Sequence, residues 1–146
     1  MSSLLRPEEY DEVVSVLKVD EGFRGRPYQD TTGHQTIGYG TLLPITPREA
    51  AMLLKSRLNA GIAELEKHLR SLGLDPVSMP SGVCRALANM VYELGMERLL
   101  TFKRMWACIA RGDWAGAALE VERSRYDRQV HGRAERNAAM MRLEAA

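Results

Sequence analysis

In the run Asp20-Glu21-Gly22-Phe23-Arg24-Gly25-Arg26-Pro27-Tyr28-Gln29-Asp30, two carboxylates, Glu21 and Asp30, stand at either end of a short polar segment. Thr36 follows closely and opens an Ile-Gly-Tyr-Gly run ending at Gly40. A helical pattern stops at Glu21 and a hairpin pattern begins just after it. That puts one acid at the end of a rigid helix and the other on a strand facing it across a gap. Two carboxyl groups flanking a space are what glycoside hydrolysis needs, one to protonate the leaving oxygen and one to serve the opposite face of the sugar. The pair is not symmetric. Glu21 falls four residues beyond Leu17 and extends the stripe Tyr10, Val13, Val14 and Leu17, so it is expected to face the core. An acid at a helix C-terminus also opposes the helix dipole. Both effects favour the proton-bearing form that a general acid requires; the plainer reading is a frayed last-turn residue in water. Asp30 lies on a polar strand with Thr36 nearby, and hydrogen bonds from Thr36 and from backbone groups would keep it charged.

The elements that must position these groups follow from periodicity and punctuation. Pro7 suits a first helical turn, and Glu8, Glu9, Asp11 and Glu12 place negative charge where the dipole favours it. Gly22 ends that helix, and residues 26–31 and 35–39 read as two short strands joined at Thr32-Gly33-His34. Gly38 and Gly40 leave bare backbone on one face of the second strand, a mark of close approach by a ligand or another backbone. Thr46-Pro47-Arg48-Glu49 is a capping box opening one long helix to about Ser71, with Ala50, Leu53, Leu54, Leu58, Ile62, Leu65 and Leu69 as its stripe. Gly61 costs something inside it without breaking it. Residues 82–94 are apolar on nearly every side, as in a central core helix; Arg85, Asn89 and Glu93 form its one polar edge, either solvated or lining a cleft. Three helices follow: Phe102–Ala110 capped by Thr101, Trp114–Arg123 capped by Asp113, and a last one from about Gly132 to the end. The fold class is α+β, predominantly helical, with one small hairpin inserted early.

A length of 146 residues suits a single domain with a real core, and the composition, 45% hydrophobic and 27% charged, is that of an ordinary globular protein. A net charge of +1 argues against a nucleic-acid binder, and the mildly basic C-terminal third reads as a solvated helix surface. Cys84 and Cys108 sit in apolar helical patterns and read as free, buried thiols. His34, His68 and His131 lie far apart without ligand spacing and read as surface residues, so neither a metal nor another cofactor is expected. The N-terminal segment lacks an apolar signal core, and no run reaches membrane-spanning length. A chain made in the cytoplasm, without stable membrane association, is expected.

Three stretches together resemble the lysozyme (endolysin) family of the T-even bacteriophages. They are Glu21-Gly22 … Tyr28-x-Asp30 … Gly33-x-x-Thr36-Ile37-Gly38-x-Gly40; Ala86-Leu87-Ala88-Asn89-Met90-Val91-Tyr92, with Gly95 and Trp114 at like spacing; and Ser124-Arg125-Tyr126 … Gln129 … Arg133-Ala134-x-Arg136. They span nearly the whole chain in order. The resemblance implies a lysozyme-like domain over 1–146, with a β-hairpin lobe (about 22–45), a linking helix (about 46–71) and a helical lobe (about 80–146 plus 1–21). It implies Glu21 as general acid at the bond between N-acetylmuramic acid and N-acetylglucosamine of bacterial peptidoglycan. Asp30, with Thr36, would hold the attacking water, giving inversion, which fits a carboxylate separation of about 6.5–9.5 Å. Arg133 matches an arginine that pairs with the catalytic glutamate, Gln129 supports the site from the same segment, and Leu42, Tyr92 and Asn89 match cleft positions. Met105 and Glu120 stand where the family has small polar sugar-binding residues, Glu93 replaces a neutral amide, and Thr41 replaces a histidine. The connection between hairpin and long helix is shorter than in the family's best-known members, replacing a strand and a small helix.

By the same resemblance the protein acts as a monomer on the cell wall, released from the host cytoplasm through a holin-made opening, or as a lysozyme domain of a larger phage protein or toxin. Two other readings compete. A lytic transglycosylase uses one glutamate and needs no residue to hold water, so the Asp30 and Thr36 pair argues against it. A non-catalytic wall-binding module on the same fold would have no reason to keep all three residues.

Overall fold

The computed structural model describes residues 4–124 and 132–143. The chain divides into two compact units, Met1–Met52 and Leu53–Ala146. The first unit opens with helix α1 (Pro7–Glu21), where the Glu9 carboxylate caps Arg6: Arg6 N donates to Glu9 Oε2 at 2.8 Å and Arg6 Nη2 to Oε1 at 2.7 Å. Gly22, with φ +67°, turns the chain out of the helix, and its N–H closes the last turn on the Lys18 carbonyl at 3.1 Å. Three antiparallel strands follow in the order β1 (Arg24–Gln29), β2 (Gln35–Gly38) and β3 (Thr41–Leu42). Tyr28 pairs with Thr36 and Gln29 with Gln35; the ladder is irregular between Arg24 and Tyr28, where Pro27 has no N–H to give. On the other side Thr36 pairs with Leu42 and Ile37 with Thr41. β2 is therefore the central strand, and Thr36 has a neighbour on both sides. The expected hairpin is there, with a third strand added. Thr41–Leu42 is too short to carry a period of its own, so only the pairing reveals it.

Helix α2 (Pro47–Ser71) opens on the expected capping box: Thr46 N donates to Glu49 Oε2 at 2.7 Å, and Glu49 N to Thr46 Oγ1 at 3.2 Å. The second unit contains the C-terminal part of α2, then α3 (Ser81–Leu94), α4 (Met96–Leu99), α5 (Lys103–Ala110), α6 (Trp114–Arg123) and α7 (Arg133–Leu143). Helix α3 supplies Val83, Ala86, Leu87, Met90 and Val91 to a core completed by residues such as Leu99, Met105, Ile109, Val121, Ala138 and Met141. Gly61 has a packing reason: a Cβ there would stand 3.1 Å from Val91 Cγ1, so its absence lets α2 approach α3. Asp113 caps α6 by accepting from Gly116 N at 2.9 Å, as expected. Thr101 does not cap α5, because its hydroxyl is used backwards on the Arg98 carbonyl at 2.6 Å and Phe102 takes the cap position.

Two apolar stripes behave differently from expectation. None of the α1 residues is buried; Tyr10, Val13 and Leu17 are exposed and Val14 is half-buried. Along α2, Leu53 and Leu54 are exposed while Leu65 and Leu69 are buried in the helical core. The first unit, Met1–Met52, is short, and a short chain has little with which to cover α1. His68 is likewise not a surface residue. Its ring packs edge-on against Trp106, centroids 4.5 Å apart, with Nε2 buried. His131 lies outside the described residues. Cys84 and Cys108 are free thiols; Cys108 is buried and Cys84 half-buried. Among the described residues no helix is long and apolar enough to cross a membrane.

Candidate active site

Glu21 is the last residue of α1, but its side chain is exposed and not core-facing. The stripe that it extends is itself uncovered, and the carboxyl turns instead toward Gly40. A Cβ at Gly40 would lie 2.6 Å from Glu21 Oε2 and 3.0 Å from its Cδ. Gly40 also has φ +75°, a conformation that L side chains rarely adopt. The bare backbone that the sequence pattern marks at this position makes room for the side chain of Glu21.

Asp30 sits where the chain leaves β1. Its backbone N donates to the His34 carbonyl at 2.9 Å, and Gly33 N donates back to the Asp30 carbonyl at 3.0 Å. Three donors converge on one carboxylate oxygen: Thr32 Oγ1 at 2.7 Å, His34 N at 2.8 Å and Thr32 N at 2.9 Å all reach Oδ1. Among the described residues none reaches Oδ2, and the side chain is 30% exposed. The Thr32 hydroxyl first, then the backbone N–H of His34, hold the Asp30 carboxyl below the usual carboxylate range. The result is a carboxylate with one oxygen anchored by three donors and the other without a hydrogen-bond partner among the described residues.

Thr36 is 2% exposed, the only buried side chain among the described residues of the first unit. Its hydroxyl donates to the His34 carbonyl at 3.0 Å. The expectation that Thr36 bonds Asp30 is therefore corrected: Thr32 makes that bond, and Thr36 instead anchors the turn that carries it. Thr32 and His34 went unrecognised as partners of Asp30 in the sequence. The Asp-x-Thr spacing was the available signal, because an aspartate before a turn commonly accepts from the residue two positions on. Leu42, opposite Thr36 on β3, is 58% exposed.

The other candidates belong to the second unit and form a cluster of their own. Arg133 at the start of α7 donates from Nε to Asn89 Oδ1 at 2.7 Å and from Nη2 to the Asn89 carbonyl at 3.3 Å. Glu93 Oε2 lies 3.1 Å from the same Nε. Asn137, buried and not singled out in the sequence, donates to Asn89 Oδ1 at 3.2 Å. The polar edge of α3 is thus neither merely solvated nor wholly a cleft lining: Asn89 and Glu93 hold α7. Asn89, Arg133, Arg136 and Asn137 line a cavity of about 550 Å³ with Ala139 and Met140. Tyr92 is 40% exposed on α3. Met105 is 1% exposed inside the core, so it can touch no saccharide. Glu120 pairs at 3.9 Å with Arg123. Gln129 lies outside the described residues. Among those described, no group of His, Cys, Asp and Glu is placed to hold a metal ion.

The profile of the phage lysozyme family matches residues 18–140. Two proteins of Dictyostelium discoideum are similar over their length: "Probable T4-type lysozyme 1", 30% identical over 85% of this chain and 89% of the relative, and "Probable T4-type lysozyme 2", 28% identical over 83% and 88%. The "Pre-baseplate central spike protein Gp5" of Enterobacteria phage T4 is 26% identical over 85% of this chain, which spans 26% of that longer protein. The chain belongs to the phage lysozyme family and is a glycoside hydrolase of the lysozyme type that acts on the bacterial cell wall.

Proposed function

We propose that the protein hydrolyses the β-1,4 bond between N-acetylmuramic acid and N-acetylglucosamine, with Glu21 as general acid and Asp30 as the carboxylate that holds and activates water. The observation that carries this reading is the state of Asp30, an ionised group with Oδ1 taken by three donors and Oδ2 left to accept from a water. Glu21, seated against Gly40 on an exposed edge, can reach a glycosidic oxygen without leaving its helix. Water attacks the anomeric carbon on the face opposite the departing oxygen, Glu21 gives that oxygen its proton, and Asp30 takes one from the water. The configuration inverts. Thr36 keeps the turn in shape, while Leu42, Tyr92 and Asn89 are the saccharide contacts. By resemblance to the family, Arg133 and Gln129 are supporting residues of the same reaction. In that reading the reaction serves cell-wall breakdown and, with it, lysis of a bacterial host.

The decisive experiment compares clearing of chloroform-permeabilised bacteria by the native chain and by Glu21→Gln. Loss of clearing with an unchanged fold is expected; equal clearing by both proteins refutes Glu21 as the acid. Mass spectrometry of the released muropeptides separates hydrolysis from transglycosylation, with reducing ends expected and 1,6-anhydro ends counting against a role for Asp30 in holding water.

A further inference from the structure

The anchoring of Asp30 extends one residue beyond Thr32. Thr32 Oγ1 is 2.7 Å from Asp30 Oδ1 and 2.6 Å from His34 Nδ1. An ionised carboxylate can only accept, so the single hydroxyl proton of Thr32 goes to Asp30. His34 Nδ1 must then be the donor to Thr32 Oγ1. That fixes the ring with a proton on Nδ1, a condition met by the neutral Nδ1–H tautomer and by the imidazolium alike. The backbone N–H of His34 donates to the same carboxylate oxygen at 2.8 Å, so one residue supports Asp30 at two points. Packing does not account for the ring, which is 67% exposed. Asp30, whose Oδ1 is 3.8 Å from Nδ1, is the charged group set against it among the described residues.

We propose that His34 is a positioning residue for Asp30: the chain from His34 Nδ1–H through Thr32 Oγ1–H to Asp30 Oδ1 pins one carboxylate oxygen and leaves Oδ2 aimed at the attacking water. This rests on the reading of Asp30 as the water-activating carboxylate. The ring acts through Thr32 Oγ1, so it contributes direction to Asp30 and not chemistry. A hydroxyl that already receives a hydrogen bond is also a better donor, so His34 strengthens the Thr32 bond that it backs.

The test uses the full chain, with two readouts that fail separately. Nitrogen-15 NMR on neutral His34 should show the Nδ1–H tautomer. Carbon-13 titration of the Asp30 carboxyl should move to higher pH in Thr32→Val and in His34→Ala. It should return toward the native position in His34→Asn, whose amide nitrogen stands close to where Nδ1 stood. On soluble peptidoglycan fragments, kcat should fall about tenfold in Thr32→Val and His34→Ala with KM unchanged, the loss expected for one hydrogen bond to a charged group, and recover in His34→Asn. An Nε2–H tautomer with an unmoved Asp30 titration overturns the chain. A moved titration with native kcat in both variants overturns the positioning role, and an active Asp30→Asn then traces the failure to the reading of Asp30 itself. Both side chains are exposed, so the variants keep the fold, and amide spectra recorded alongside check it.

Discussion

Gly40→Ala is the substitution that weighs most on the site. The added methyl would stand 2.6 Å from Glu21 Oε2 and 3.0 Å from Cδ, so it meets the carboxyl group at two atoms. A carbon and an oxygen in contact normally keep about 3.3 Å or more, which requires the carboxyl to retreat by about 0.7 Å. A misplacement approaching ~1 Å at a reacting group costs on the order of 10²-fold in rate. A kcat between about tenfold and a hundredfold below the native value is therefore expected. There is a second, separate cost, because Gly40 has φ +75° and an alanine held there loses roughly 1–2 kcal/mol of stability. Gly73 separates the two effects. It has φ +78° with nothing within 4 Å of a built Cβ, so Gly73→Ala carries the backbone cost alone. The assay is kcat on soluble peptidoglycan fragments alongside thermal unfolding for both variants. Gly73→Ala should lose stability and keep kcat, whereas Gly40→Ala should lose both. A Gly40→Ala protein with native kcat would refute the reasoning, since it would mean that the placement of Glu21 does not depend on that contact.

Other outcomes follow from the same structure. Glu9, Asp30, Glu49 and Glu122 are all held below the usual carboxylate range, by bonds from Arg6, Thr32, Thr46 and Arg142 respectively. A depressed folded-state value means that the unfolded chain binds more protons on acidification. Their stabilisation should be complete above about pH 4.5 and disappear as pH falls through the lowered values, which thermal melts at descending pH will show. Leu87→Ala, at a fully buried position in α3, should cost about 2–5 kcal/mol in denaturant unfolding, and a loss below ~1 kcal/mol would contradict the packing described. Asn89→Ala removes an acceptor shared by Arg133 and the buried Asn137, and a loss of about 1–3 kcal/mol is expected in the same measurement.

Local signals carried much of this molecule. The capping box at Thr46 and Glu49, the cap at Asp113 and the glycine stop after Glu21 each depend on residues within four positions, so they are legible without knowing the fold. The same holds for the all-round apolar character of α3, whose core position follows from composition. Thr41–Leu42 and Met96–Leu99 were not legible, because two- and four-residue elements are too short to show a period and exist by virtue of their neighbours. The α1 stripe, expected to face the core, is a stripe that nothing covers, since a periodic pattern says which residues could be covered and not whether anything covers them.

The residue types and their spacing determined the candidate chemistry: an acid at a helix end, a second acid before a turn, a threonine on the next strand and bare glycine beyond it. They also carried the family, because the motif is a property of the chain order. What only the tertiary structure decided is who touches whom. Thr36 is the central-strand residue buried between Tyr28 and Leu42, because β1 and β3 pair with β2 on both sides. Gly40 faces Glu21 because the sheet brings residue 40 back to the end of α1. Contacts between residues distant in sequence depend on chain closure, and no local pattern encodes that.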